Sequence, residues 1–364
     1  MTRMKGMRIQ SLHYLRKLGI VSLCIGLLGG VAVTGHAANN KEKYEPRYSI
    51  MSRKAAESLL TDVQVVGEKI VAVGERGHII VSKDKGRSWK QAKVPTIELL
   101  TAVHFPNEQY GWAVGHESLI LHTKDGGANW EVQYADPYRE PDPNAPIDYD
   151  AGPSRAGQPF LDVWFRNEKE GFAVGAYGYF VHTSDGGRTW QDWSDRIENF
   201  DGWHLNALGT LDGQVMFIAG EMGVLFRSTD GGETWETLDS PYQGSYFGIH
   251  VGPTSDEVLI FGLQGNIFKT TDGGDSWHEI FTNNTNGLMA GISVGETGVV
   301  LVGNGGVIMY SKDKGESFVK QITEDRQSLV GIAKTPNNKL VMVGAAGVTI
   351  ATPNPSVLGI KNGE

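Results

Sequence analysis

The chain has 364 residues, 40% hydrophobic and 9% aromatic, with 48 glycines, one cysteine and a formal net charge of −9. That length holds two or three domains or one large repeat architecture, and the lone Cys24 excludes a disulfide framework. The acidic balance argues against a nucleic-acid partner, because each phosphate contact needs a local cation.

Residues 1–37 read as a secretory signal. Arg3, Lys5, Arg8, Arg16 and Lys17 precede an apolar stretch at 18–33, and Gly35-His36-Ala37 supplies the small residues read at cleavage, expected after Ala37. An uncleaved anchor helix fits less well: the span is short, glycines interrupt it, and the polar run Asn39-Asn40-Lys41-Glu42-Lys43 follows. Cys24 follows Leu23, not a small residue, so lipidation is not expected. Removing the five basic residues of this segment leaves 28 of the 33 Lys+Arg against all 42 Asp+Glu, a net charge of −14. The expectation is an exported, periplasmic protein, or one of a thylakoid lumen-like compartment if the source is photosynthetic.

After an N-terminal segment at 38–57, a repeat fills residues 58–352. "VAVGERGHIIVS" (71–82), "WAVGHESLILHT" (112–123), "FAVGAYGYFVHT" (172–183), "FIAGEMGVLFRS" (217–228), "LIFGLQGNIFKT" (259–270), "VLVGNGGVIMYS" (300–311) and "VMVGAAGVTIAT" (341–352) each place a glycine eight residues before a Ser or Thr. Those glycines are Gly74, Gly115, Gly175, Gly220, Gly262, Gly303 and Gly344, spaced 41, 60, 45, 42, 41 and 41 residues apart. Within a unit the apolar pattern has period two. Runs at 100–105, 111–115, 119–123 and 130–134 give four short strands, and helical repeats are excluded. A four-stranded sheet cannot bury both faces alone, whereas radial stacking does so. The fold class expected is all-β: a seven-bladed β-propeller. The Gly-x-x-Gly hairpin between second and third strands is expected to use its glycines for positive φ.

Six units continue into an octet: "SKDKGRSW" (82–89), "TKDGGANW" (123–130), "TSDGGRTW" (183–190), "STDGGETW" (228–235), "TTDGGDSW" (270–277) and "SKDKGESF" (311–318). Each falls between third and fourth strands and reads as a turn. Asp84, Asp125, Asp185, Asp230, Asp272 and Asp313 accept backbone N–H groups. Gly86, Gly127, Gly187, Gly232, Gly274 and Gly315 take left-handed backbone. Trp89, Trp130, Trp190, Trp235, Trp277 and Phe318 anchor the turn between sheets. A calcium loop would want several carboxylates per copy.

The octet resembles the Asp-box, or bacterial neuraminidase repeat. The whole repeat, with "GWAVG" and "GFAVGAYGYFVHTSDGGRTW", looks most like the photosystem II assembly and stability factor family and its exported bacterial relatives, over roughly 58–352. The resemblance implies a seven-bladed, non-catalytic propeller that binds membrane-protein subunits during assembly, with a protein partner such as a membrane-protein complex or transporter. It also implies at most peripheral membrane association, a monomer, no cofactor and no metal. The basic patch associated with photosystem binders has no visible counterpart here. Asp-boxes also occur in glycosidases, so a carbohydrate-active propeller is the alternative reading. Against it, no Arg-Ile-Pro motif announces a sialidase, and Asp192 with Asp195 or Asp148 with Asp150 say nothing of carboxylate separation across a cleft. His116, His122 and His182 show no zinc spacing and read as structural.

Topology puts the second-to-third strand hairpins and the connections between blades on one face, with the octets on the other. The shared face is therefore the candidate partner-binding surface, carrying Arg76, His116, Glu117, Tyr177 and, at the entry to blade four, Trp203 and His204. It also carries the Pro-rich insertion 136–159, with Tyr138 and Tyr149, which reads either as a partner-binding segment or as a flexible one. Blade seven shows three strands, at 329–335, 339–344 and 347–352. Arg47–Ser52 is expected to clasp its outer edge. Within the tail 353–364, "SVLGIK" (356–361) is the alternative.

Overall fold

The computed structural model describes residues 36–37, 44–136 and 156–353. Seven antiparallel sheets follow one another along the chain, six of at least four strands and the last of three. Blade 1 is Leu60–Val66, Lys69–Gly74, Ile79–Ser82 and Lys90–Gln91. Blade 2 is Leu100–His104, Gly111–Gly115, Leu119–Thr123 and Glu131–Tyr134, the four runs read from the sequence. Blades 3 to 7 open at Phe160, Leu205, Tyr246, Leu288 and Leu329. A two-residue strand, His36–Ala37, also pairs with Trp190 and Gln191 at the outer edge of blade 3.

Period two explains how such thin sheets become a ring. In the second strand of blade 1, Val71 and Val73 enter the cluster shared with blade 2, whereas Ile70 and Ala72 enter the one shared with blade 7. In blade 2, Ala113 faces blade 1 while Trp112 and Val114 face blade 3. There are seven such seams, each an apolar cluster drawn from two blades. A fully buried Val, Leu or Phe is worth about 1.5–3 kcal/mol, so every blade is stabilised from both sides.

The seam between blades 7 and 1 differs from the expectation. Arg47–Ser52 forms no strand, and its hydrogen bonds go to blade 1. The Ser49 amide donates to the Val94 carbonyl at 3.0 Å, and the Ser52 amide to Gln91 Oε1 at 2.8 Å. Gln91 also donates to Ser49 Oγ and the Ile50 carbonyl, a better match for this polar segment than an apolar edge. Among the described residues, no strand pairs with the outer edge of blade 7, and 356–361 lie outside them. The ring is joined face to face instead, by Leu60, Val63, Ala333, Val341 and Val343 with the buried Ala55 wedged alongside.

Candidate functional site

The candidate face is built by one device repeated seven times. The residue before each first strand directs its carbonyl at the anchoring glycine, and the amide after that glycine donates to it. The bonds are Glu75 to Leu59, His116 to Leu99, Ala176 to Pro159, Glu221 to His204, Leu263 to Ser245, Asn304 to Gly287 and Ala345 to Ser328, all 2.9–3.0 Å. A Cβ on Gly262 would sit 2.2 Å from the Ser245 oxygen. The anchoring glycines therefore serve close approach. The expected positive φ is corrected here: Gly262 is extended at φ 178°, and it is the second glycine, Gly265, that is left-handed at φ 75°.

Pinned this way, the hairpins of blades 1 to 6 each hold two consecutive residues in the left-handed region, the first being Arg76 (φ 56°), Glu117 (59°), Tyr177 (55°), Met222 (53°), Gln264 (58°) and, in blade 6, Gly305 (67°). A side chain there costs roughly 1 kcal/mol or more, which glycine avoids. Five blades nevertheless display a side chain.

Several residues singled out in the sequence meet on this face. Tyr177 and His204 have ring centroids 4.8 Å apart, and the Tyr177 amide donates to His204 Nδ1 at 3.3 Å. Glu221 Oε2 lies 3.3 Å from the same nitrogen. Trp203, half-buried, donates its amide to Asn199 Oδ1. Arg76 and His116 are exposed two and one blades away, outside this cluster. The insertion leaves and returns at a single point on blade 2. The Asp136 amide donates to the Glu117 carbonyl, Gly157 to the Asp136 carbonyl at 2.6 Å, and Ser118 to the Gln158 carbonyl. Tyr138 and Tyr149 lie outside the described residues.

The octets occupy the other face as turns between third and fourth strands. In blade 4, Ser228 Oγ donates to Asp230 Oδ1 at 2.8 Å and accepts the Gly232 amide, while the Thr234 amide and hydroxyl donate to Asp230. Asp84, Asp125, Asp185, Asp272 and Asp313 repeat the pattern. The Thr234 side chain, ahead of the other donors, holds Asp230 below the usual carboxylate range, and Ser88 likewise lowers Asp84 to about 2. Trp130 and Trp190 are buried, and Trp89, Trp235, Trp277 and Phe318 half-buried, each in the seam with the preceding blade. The carboxylate oxygens are engaged by the turn itself. His122 and His182 are buried against Trp112 and Trp193, at 4.5 and 3.8 Å, and burial pushes both down to about 4. Among the described residues no group of three or more His, Cys, Asp or Glu is placed to hold a metal, and no helix is long and apolar enough to cross a membrane.

One feature escaped sequence reasoning: the first strands carry a β-bulge at their second residue and line a central channel of about 480 Å³. Thr61, Thr101 and Asn206 use the bulge to donate to the next blade's carbonyls, at Leu100, Phe160 and Tyr246. Asp62 and Asp162, one residue further on, accept the Val103 and Leu208 amides of the next blades at 2.9 and 2.8 Å. Both are half-buried in the channel wall. Burial raises Asp62 to about 6 and Asp162 to about 7. The available signal was a polar residue interrupting the period-two pattern at the same place in several units.

A family model described as "Photosynthesis system II assembly factor YCF48" matches residues 87–144 and 155–298. The photosystem II stability/assembly factor HCF136 of Cyanidioschyzon merolae is 38% identical over 63 residues, 16% of this chain and 14% of that protein. The photosystem II assembly protein Ycf48 of a Synechococcus species is 38% identical over 47 residues, 12% of this chain and 14% of that protein. These matches thus span well under two thirds of either relative. Among solved structures, one described as YCF48 bound to D1 peptide superposes with TM-score 0.64 at 16% identity, covering 85% of this chain and 96% of its own. YCF48 from Cyanidioschyzon merolae gives 0.61 at 15% identity over 84% and 98%, and the WD40 propeller domain of Doa1 gives 0.62 at 10% over 85% and 98%. At such identities the shared property is the fold.

Proposed function

Since this chain belongs to the photosynthesis system II assembly factor YCF48 family, we propose that it is a non-catalytic, protein-binding assembly propeller, exported from the cytoplasm, whose partner belongs to a membrane-protein complex. The observation that carries the reading is the face of pinned hairpins. It spends backbone strain to display Arg76, Glu117, Tyr177 and Met222, gathers Trp203 and His204 beside them, and anchors the insertion at its edge. A relative of the same fold is described as holding a D1 peptide, which supports a polypeptide ligand. The opposite face spends its polar groups on its own turns. The charge count and basic-apolar leader support export.

Tagged protein incubated with detergent-solubilised membranes of the source cell tests this reading. A membrane protein should co-purify with the wild type and with a folded Asp230→Ala variant on the opposite face. A variant with 137–155 replaced by a short Gly-Ser linker together with Tyr177→Ser and His204→Ser should lose it. Capture by neither wild type nor box variant, or equal capture by all three, refutes the reading.

A further inference from the structure

We infer that the partner is held on blades 3 to 5 by an apolar belt bordered with carboxylates, and that its chemistry is a linear segment combining apolar side chains with lysine or arginine. This rests on the assembly reading and names the ligand class for that same face.

On three successive blades the displayed residues include a large apolar side chain. Tyr177 is 56%, Met222 48% and Leu263 41% exposed, on the hairpins of blades 3, 4 and 5, and Phe200 and Phe281, on the outgoing connections of blades 3 and 5, are 94% and 84% exposed. The tips of blades 1, 2 and 6 are Arg76, Glu117 and Gly305, whereas blade 5 presents Leu263 just before its own tip, Gln264. Its parts are physically joined. Each hairpin nests in its own outgoing connection: Gly178 against Asn199 and Gly202, Gly223 against the Tyr242 carbonyl, and Gly265 against Asn284 and Asn286. Each connection in turn ends in a carbonyl, at His204, Ser245 or Gly287, that accepts an amide from the hairpin of the next blade. Large apolar side chains left this open in succession mark an interaction surface.

The strain points the same way. Tyr177 and Met222 hold left-handed backbone while exposing their side chains, so burial does not offset the cost, and blade 6 makes the same turn with Gly305. Strain of this kind concentrates where a side chain is needed for something other than folding.

Charge selects the occupant. The hairpins and connections of the belt (193–204, 221–223, 238–245, 263–265 and 280–287) hold Asp195, Glu198, Asp201, Glu221 and Asp239 against one arginine, Arg196. Arg196 is already engaged, 3.5 Å over the Trp193 ring and 3.2 Å from Glu233 of a turn on the opposite face. Glu198, Asp201 and Asp239 are exposed. An acidic or neutral apolar segment would meet these carboxylates uncompensated, whereas one bearing lysine or arginine beside its apolar residues matches both features. An extended segment also suits an arc crossing three blades better than a globular domain.

The probe is a fluorescein-labelled peptide of alternating leucine and serine with a lysine pair at each end. Its counterparts carry glutamates for the lysines or serines for the leucines. Wild-type protein should bind the leucine–lysine peptide about tenfold more tightly than either counterpart. F200S/M222S/L263S should lose about tenfold in affinity at an unchanged melting temperature, since all three side chains are exposed. E198Q/D201N/D239N should erase the preference for lysine over glutamate. The inference is overturned if no peptide binds, if the glutamate or leucine-free peptide binds as well as the first, or if the triple-serine variant binds like wild type. In the membrane capture, a partner retained by F200S/M222S/L263S sinks the belt and leaves the assembly reading standing, whereas a wild type that captures nothing sinks that reading.

Discussion

Replacing Gly262 by alanine isolates the pin that recurs in every blade. The new Cβ would lie 2.2 Å from the Ser245 oxygen, 2.7 Å from Tyr246 Cα and 2.9 Å from the Phe247 nitrogen, where ordinary contacts are about 3.5 Å. All three are backbone atoms, so no side chain can swing aside; hairpin and first strand must separate by about 1 Å. That loses the 2.9 Å bond from Leu263 to Ser245, worth about 1 kcal/mol. It also strains a well-packed seam by about 1–3 kcal/mol. Alanine's smaller unfolded-state entropy offsets about 0.5–1 kcal/mol. The net loss is about 1–3.5 kcal/mol, a fall of several degrees in Tm for a chain of this size. Gly295→Ala is the control. It has φ 66° with nothing within 4 Å of the new Cβ, so strain of about 1 kcal/mol is nearly cancelled by the same entropy. Denaturant unfolding of both variants decides the matter. If Gly262→Ala is no less stable than Gly295→Ala, close approach is not why glycine stands there.

Asp162→Asn should change the pH dependence of stability. Burial raises the carboxyl from 3.8 to about 7, so its stabilising contribution is complete below the unfolded value near 3.8 and is lost as pH rises through about 7. The difference is at most about 4 kcal/mol, tempered by channel water. Asparagine keeps an acceptor for Leu208 without the charge, so between about pH 5 and pH 8 the variant should lose less stability than wild type in urea titrations; identical profiles would refute this. Asp230→Ala removes the acceptor for Ser228 and Thr234 and should cost about 1–3 kcal/mol by calorimetry while leaving partner capture intact. The box carboxylates run opposite to Asp162: Asp230 and Asp84 are lowered, so their contribution is present above about pH 4 and lost as acid protonates them. Deleting 44–57 removes the Ser49 and Ser52 bonds to blade 1 and exposes the Ala55 seam, so Tm should fall by several degrees; an unchanged Tm would show that this segment contributes nothing to the ring.

The blades were legible because their signals are local. Period-two runs, a glycine at fixed spacing and an eight-residue turn gave blade 2 its four strands to within about two residues and counted seven sheets. The octet's polar groups were readable for the same reason, since donor and acceptor lie within a few residues. What escaped needs two distant segments at once. Nothing near Gly262 announces that the Ser245 oxygen will press against it, so the sequence alone suggests for the anchoring glycines a conformation they do not adopt. Asp62 and Asp162 became channel carboxylates only when neighbouring blades supplied the Val103 and Leu208 amides. Arg47–Ser52 was given to blade 7 because a ring needs closing, but its partners are the polar Gln91 and the Val94 carbonyl of blade 1. On the candidate face, topology brought Tyr177, Trp203 and His204 together, while the apolar succession through Phe200, Met222, Leu263 and Phe281 is visible only once exposure is known.

The carbonyl pins separate what the molecule must be from what it recognises. Because each loop is located by main-chain atoms, the amino acid at its tip is constrained by its left-handed backbone and not by side-chain packing. Arg76, Glu117, Tyr177, Met222, Gln264 and Gly305 amount to a six-letter word written on a circular dial. Drift or design can respell it one letter at a time, each change altering stability only by the strain of its own left-handed residue.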